Sequence, residues 1–210
     1  MPATHRKETW KDAGIRTPKG KIRKNVYKGS EDKATVQLVL SGDYKESKKE
    51  KLIVSALEEV LSFRMLDRLR KKESGIYSPG VSLSASMYPV PSYRVGVSFG
   101  CAPENVETLI KAAEEELHLL ASKGALPSEL DKFKAEAKLA HETALKTNVF
   151  WRNELVSSYR ENKNPSKLLE FERSLASISI SDLRKAAKRY FDLSNYMVFV
   201  LFPEEFKEKS

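Results

Sequence analysis

The chain has 210 residues, with 37 Lys+Arg, 29 Asp+Glu, three His and one Cys. That length fits one domain, or two at most, and is enough to fold without a metal or disulfide. The single Cys101 excludes an internal disulfide framework, and no run approaches the 18 or so apolar residues of a membrane-spanning helix.

The net charge of +8 is concentrated at one end. Residues 1–33 hold ten Lys/Arg against four Asp/Glu, whereas the rest of the chain holds 27 against 25. The N-terminus has basic residues but no apolar core of a secretory signal. If the natural protein is exported, this chain is therefore expected to be an internal or C-terminal piece of it.

Residues 1–20 lack periodicity and read as a linker or arm. An edge strand is expected from Ile22 to Lys28, and a clearer one from Ala34 to Leu40, where Val36, Leu38 and Leu40 share a face. Ser47-Lys48-Lys49-Glu50 reads as a capping box. It opens a long helix whose apolar face runs from Leu52 to Leu69, with Gly75 as its stop.

Two strands of period two follow. Val81, Leu83, Ala85 and Met87 alternate with serines, and Tyr93 to Cys101 alternate with Arg94, Gly96, Ser98 and Gly100. With Tyr88–Ser92 as the turn they form an antiparallel hairpin, and their Ser/Gly face leaves room for a helix or a bound chain. Helices are then expected after Pro103, ending at Lys123-Gly124, and from about Pro127 to Thr147. A third runs from Asn148 to Glu161, anchored by Trp151, Leu155 and Tyr159. Two more cover about Lys167–Leu175 and Ser181–Phe191, with Ser181 as N-cap. Tyr196–Phe202 reads as a buried strand, and the tail EEFKEKS as disordered. The order β-β-α-β-β-α-α-α-α-α-β implies an α+β class: a mixed, largely antiparallel sheet with helices packed on it. The organisation is residues 1–20 as arm, 21–204 as one domain and 205–210 as tail.

Catalytic motifs are scarce. His141 and Glu142 sit together on a helix, but position 145 is Leu, so the paired imidazoles of a helical zinc site are missing. No Glu-His pair exists for the inverted motif. His118, among Leu117, Leu119 and Leu120, reads as a hydrogen-bonded structural histidine. Cys101 reads as a buried thiol. Gly96-Val-Ser-Phe-Gly100 lies inside a strand, where a nucleophile elbow cannot form. The basic arm could neutralise phosphates, but no aromatic stacking platform accompanies it, so a solvated linker is the better explanation.

The segment that stands out is Leu69-Arg70-Lys71-Lys72-Glu73-Ser74-Gly75-Ile76-Tyr77. A long helix ending in an arginine, then a glycine, a tyrosine and a hairpin, resembles the C-terminal-half domains of the insulinase/pitrilysin family of zinc peptidases. Two further stretches are similar to bacterial members. Gly14-Ile15-Arg16-Thr17-Pro18-Lys19-Gly20 with Val26-Tyr27-Lys28-Gly29 matches the lead-in of the last domain, and Ser181–Phe191 with Asn195-Tyr196 matches its closing helix and strand.

The resemblance implies a processing-peptidase-like fold without zinc of its own, one of four related domains in a clamshell. The metal would sit on a partner domain, on the same or another chain. Arg70 and Tyr77 would then be substrate-binding residues, offering hydrogen bonds to a peptide carbonyl or a developing oxyanion. The implied partners are a peptide or protein substrate and the zinc-bearing domain, with no nucleic acid and no membrane, and the implied location is the periplasm or cell envelope. Two alternatives stand beside this: an inactive substrate-binding partner subunit of the same fold, and a basic nucleic-acid-associated protein. Taken without the family, Arg70 is a cation favoured by the end of a helix dipole and Tyr77 a strand anchor.

Overall fold

The computed structural model describes residues 11–72, 76, 79–160 and 162–209. Five strands form one sheet, β1 (Lys21–Tyr27), β2 (Ala34–Asp43), β3 (Gly80–Ser86), β4 (Ser92–Cys101) and β5 (Tyr196–Phe202). Their spatial order is β1-β5-β2-β4-β3. β5 inserts between the first two strands, parallel to β1 and antiparallel to β2. The remaining pairs, β2 with β4 and β4 with β3, are antiparallel. The sheet is thus mixed and largely antiparallel, as the element order implied.

Period-two patterning divides the two faces. Ala34, Val36, Leu38 and Leu40 of β2, with Val95 and Val97 of β4, are fully buried on one of them. The helices α1 (Lys48–Met65), α2 (Val106–Lys123) and α6 (Ile180–Tyr190) pack there. Leu57, Leu61, Met65, Leu117, Leu183 and Tyr190 complete the core. Arg94, Gly96, Ser98 and Gly100 lie on the opposite face. The small size of Gly96 is matched across strands, since a Cβ on it would meet the Ser82 hydroxyl at 2.8 Å. No helix among the described residues uses the space that the Ser/Gly alternation suggested.

α3 (Pro127–Ala144), α4 (Asn148–Arg160) and the short α5 (Phe171–Ala176) connect α2 to α6. Gly124 ends α2 with φ +81°, a left-handed conformation that a side chain would strain, and the Arg184 side chain lies against it.

Several local expectations change. Ser47 caps α1 by accepting the Glu50 N–H at 2.9 Å, but the Glu50 carboxylate turns to Tyr190 and Arg189 instead of completing the box. α6 is capped by Ser179 with Asp182, not by Ser181, because only Ser179 has an acid three residues on. The α4 anchors Trp151, Leu155 and Tyr159 are exposed. The tail turns through a 3₁₀ segment over Glu204–Lys209, and Phe206 stacks on Phe202 with ring centroids 5.0 Å apart. Gly75 lies outside the described residues.

Candidate substrate-contact site

α1 does not stop at its last regular turn. From Leu66 to Lys72 it widens into a π-helical segment, a form found mostly as short insertions and often at functional sites. Leu69 holds this segment in the core with no exposed surface. The next residue, Arg70, is exposed, so the widened turn carries its guanidinium at the molecule's surface.

Ion pairs fasten the segment to the rest of the domain. Arg64, one turn before it, donates Nε and Nη2 to the two Glu129 oxygens, each at 2.8 Å. Arg64 also reaches Glu116 and the Gly124 carbonyl, both at 3.4 Å. Arg and Glu here are less than a fifth exposed, so the fork joins the end of α1 to the α2–α3 junction at low solvation. The Glu129 bond holds the Arg64 guanidinium above its ordinary value. Burial pulls the Glu129 carboxyl upward, but Arg64 and the Leu126 N–H outweigh it and leave it lowered. Arg68 pairs with Glu115 of α2 at 2.9 Å, and Lys71 with Asp67 at 3.2 Å.

Beyond the segment, Ile76 packs on the core and β3 begins at Gly80. Tyr77, the second residue implied by the resemblance, lies outside the described residues. A guanidinium at this position offers several N–H donors in a fixed plane, suited to a carbonyl or carboxylate oxygen. It is neither a metal ligand nor a proton acceptor at neutral pH.

The other candidates resolve as structural groups. Cys101 is buried, and burial, with Glu104 nearby, pushes its thiol up to about 11. His141 stacks on Phe171, ring centroids 3.9 Å apart, with Phe150 edge-on at 5.6 Å. His118, read as a hydrogen-bonded structural histidine, is exposed on α2. Ser98 sits within β4, its hydroxyl 3.5 Å from the Gly80 carbonyl. Among the described residues no group of three His, Cys, Asp or Glu side chains is arranged to hold a metal ion. The donor set among the described residues does not fit the zinc that the resemblance places on a partner domain. No helix among the described residues is long and apolar enough to cross a membrane. Near the basic end, Arg16 of the arm pairs with Asp12, and Arg23 of β1 with Glu107 of α2.

Sequence reading missed a polar cluster at the other end of α1. Tyr93 donates to the Arg189 carbonyl at 2.9 Å and meets the Tyr190 ring edge-on at 4.6 Å. Tyr190 and Arg189 both bond Glu50. The partners are far apart in sequence, so only the fold brings them together.

Several solved structures share the fold. The periplasmic protease PqqL from Escherichia coli superposes with a TM-score of 0.79 at 21% identity, over 89% of this chain and 21% of that one. The ferredoxin protease FusC, solved with Arabidopsis ferredoxin, gives 0.77 at 20% identity, over 90% and 21%. A peptidase M16 inactive domain from Pseudomonas fluorescens gives 0.73 at 16% identity, over 89% and 44%. The chain thus spans about a fifth of the length of PqqL and FusC. No curated protein sequence matches it. A sequence profile does: the one described as the peptidase M16 inactive domain matches residues 3–136, through β1–β4, α1, α2 and the first part of α3. The chain therefore belongs to the M16, or insulinase, peptidase family, in which it is an inactive domain.

Proposed function

We propose that this chain is the zinc-less C-terminal domain of a bacterial insulinase-family metalloendopeptidase. It closes one wall of the substrate chamber and presents Arg70 and Tyr77 to a peptide bound at a zinc ion on another domain. The observation that carries this is the exposed Arg70 on a widened, ion-paired helix end, in a chain whose profile match is to the family's inactive domain. The share of PqqL and FusC that the chain covers supports its being one domain of a larger enzyme. Residues 1–20 then serve as the interdomain lead-in and 21–204 as the domain. Location in the periplasm or cell envelope has support from PqqL, which is described as periplasmic.

Arg70 and Tyr77 would act by hydrogen bonding. Donors fixed beside a peptide carbonyl hold the substrate in register and favour charge developing on that oxygen. Neither residue takes or gives up a proton in this role.

A second reading is an inactive partner subunit that binds substrate beside a separate catalytic chain. It draws support from the Pseudomonas fluorescens structure, which is described as a peptidase M16 inactive domain. Mixing this chain with the zinc-bearing domain and measuring peptide hydrolysis tests the shared core of both readings. The combination should cleave peptide and the isolated chain should not. Hydrolysis by the isolated chain, or one tightly held zinc in it, would contradict both.

A further inference from the structure

α4 is turned inside out relative to an ordinary surface helix. Its inward side carries Phe150, Glu154, Ser157 and Ser158, all half-buried, and no residue of the helix is fully buried. The other large apolar residues point outward. Val149, Val156 and Tyr159 are more than half exposed, and Trp151 and Leu155 more than a third. A helix that packs by its apolar stripe turns that stripe to the core, so a stripe turned to solvent marks a surface that meets something else.

The residues on this face are ordered as a contact surface. Trp151, Leu155 and Tyr159 recur four apart and form one ridge, and Val149, Arg152 and Val156 lie beside it. Trp151 is fixed in place, since its Nε1 donates to the Leu145 carbonyl at 2.9 Å and its ring meets Phe150 edge-on at 5.6 Å. Trp, Tyr and Arg are the side chains that most often dominate the energy of a protein interface.

Arg152 indicates what the partner carries. It lies between Val149 and Val156, and its Nε and Nη2 reach the neighbouring Asn153 side chain at 3.3 and 3.2 Å, with no carboxylate bonded to it among the described residues. We infer that this face docks a neighbouring domain of the same enzyme, through an apolar surface with a carboxylate opposite Arg152. The inference rests on the reading above that the chain is one domain of a larger enzyme, which the chain's share of PqqL and of the Pseudomonas fluorescens structure supports.

Two other occupants fit less well. A second copy of this chain would set arginine against arginine, because Glu154, the only acid in α4, turns inward. A bilayer would draw Arg152 towards hydrocarbon, where a lone cation is costly.

Hydrogen–deuterium exchange over residues 148–160, in the intact enzyme and in the isolated chain, tests the assignment. The α4 amides should exchange about tenfold or more slowly in the intact enzyme. Equal protection of the core helix α2 in both samples shows that the isolated chain is folded. Within the intact enzyme alone, Arg152→Glu and Leu155→Glu, both at exposed positions, should abolish the extra protection, and Arg152→Lys should keep part of it. Equal exchange of α4 in the enzyme and the folded chain, or wild-type exchange in both glutamate variants, would overturn the docking. Protection that the isolated chain gains only as its concentration rises would assign the face to a second copy, and protection gained only on phosphatidylglycerol vesicles would assign it to a membrane; either result overturns the inference. Exchange reads a contact and not hydrolysis, so the docking can fail while Arg70→Ala still lowers kcat/KM, and can hold while it does not.

Discussion

The hydroxyl of Tyr190, at the end of α6, donates to the Glu50 carboxylate in the first turn of α1. Arg189 bonds the same carboxylate oxygen, so one acidic side chain ties the beginning of one core helix to the end of another. Tyr190 has no exposed surface. Tyr190→Phe should therefore destabilise the chain by about 1.5–3 kcal/mol, the range for a hydrogen bond to a charged group. Glu50→Ala should cost more, because it leaves two donors without their acceptor. Urea unfolding of the three proteins measures both, and equal midpoints would show that the bond contributes nothing.

Tyr190 and Tyr93 contribute to the alkaline limit. Burial, then the bond to Glu50, push the Tyr190 phenol well above its ordinary value, and burial pushes Tyr93 up to about 12. In the unfolded chain both titrate near 10. A group whose folded value lies above its unfolded value contributes stability that is complete below the unfolded value and lost as pH rises towards the folded one. The urea midpoint should hold up to about pH 10 on this account and fall beyond it, with a shallower fall in Tyr190→Phe. A midpoint that declines identically in both proteins would contradict the assignment to Tyr190.

Asp182 sets an acid limit of the opposite sign. Burial raises its carboxyl, but Lys49 and Ser179 outweigh that and hold it at about 2. With the folded value below the unfolded one, its contribution is present above about pH 4 and is lost as pH falls towards 2. Asp182→Asn should cost about 1 kcal/mol at neutral pH, mainly through the α6 cap, since Lys49 is too exposed to add much. The variant should also flatten the acid limb of the stability profile.

Much of the fold was legible because it rests on short-range pattern. Alternation at Val36, Leu38 and Leu40 located β2, and the run Tyr196–Phe202 located β5, since period-two and continuous apolar stretches depend only on neighbours. What failed depended on distant partners. Trp151, Leu155 and Tyr159 recur at helical spacing, which marks a helix but not whether anything covers that face. Nothing local says that Glu50 will meet Tyr190 or that β5 will insert beside β1. At the candidate site, the apolar face that carries the helix on to Leu69 was legible. The widened turn was not, because Leu66–Lys72 has an ordinary helical sequence held by Arg64, Arg68 and Leu69 through contacts far along the chain.

Arg64 is the fastening that most directly fixes that turn. Its two parallel bonds to Glu129 need a planar fork, which lysine cannot supply. Arg64→Lys should destabilise the chain by about 1 kcal/mol and Arg64→Ala by about 2–3 kcal/mol, the latter leaving Glu129 part-buried without its cation. Urea unfolding of both, with Glu129→Gln to complete a cycle, checks this. Additive effects of Arg64→Ala and Glu129→Gln would mean that the two side chains do not couple.

In the function proposed above, this domain lends Arg70 and Tyr77 to a substrate held elsewhere. The most direct measurement is kcat/KM for peptide hydrolysis by the intact enzyme carrying Arg70→Ala or Tyr77→Phe, beside the thermal unfolding of each variant. We expect a loss of kcat/KM equivalent to about 1–3 kcal/mol, with the unfolding temperature unchanged. Wild-type kcat/KM in both folded variants would contradict the account and leave the two residues a purely structural part.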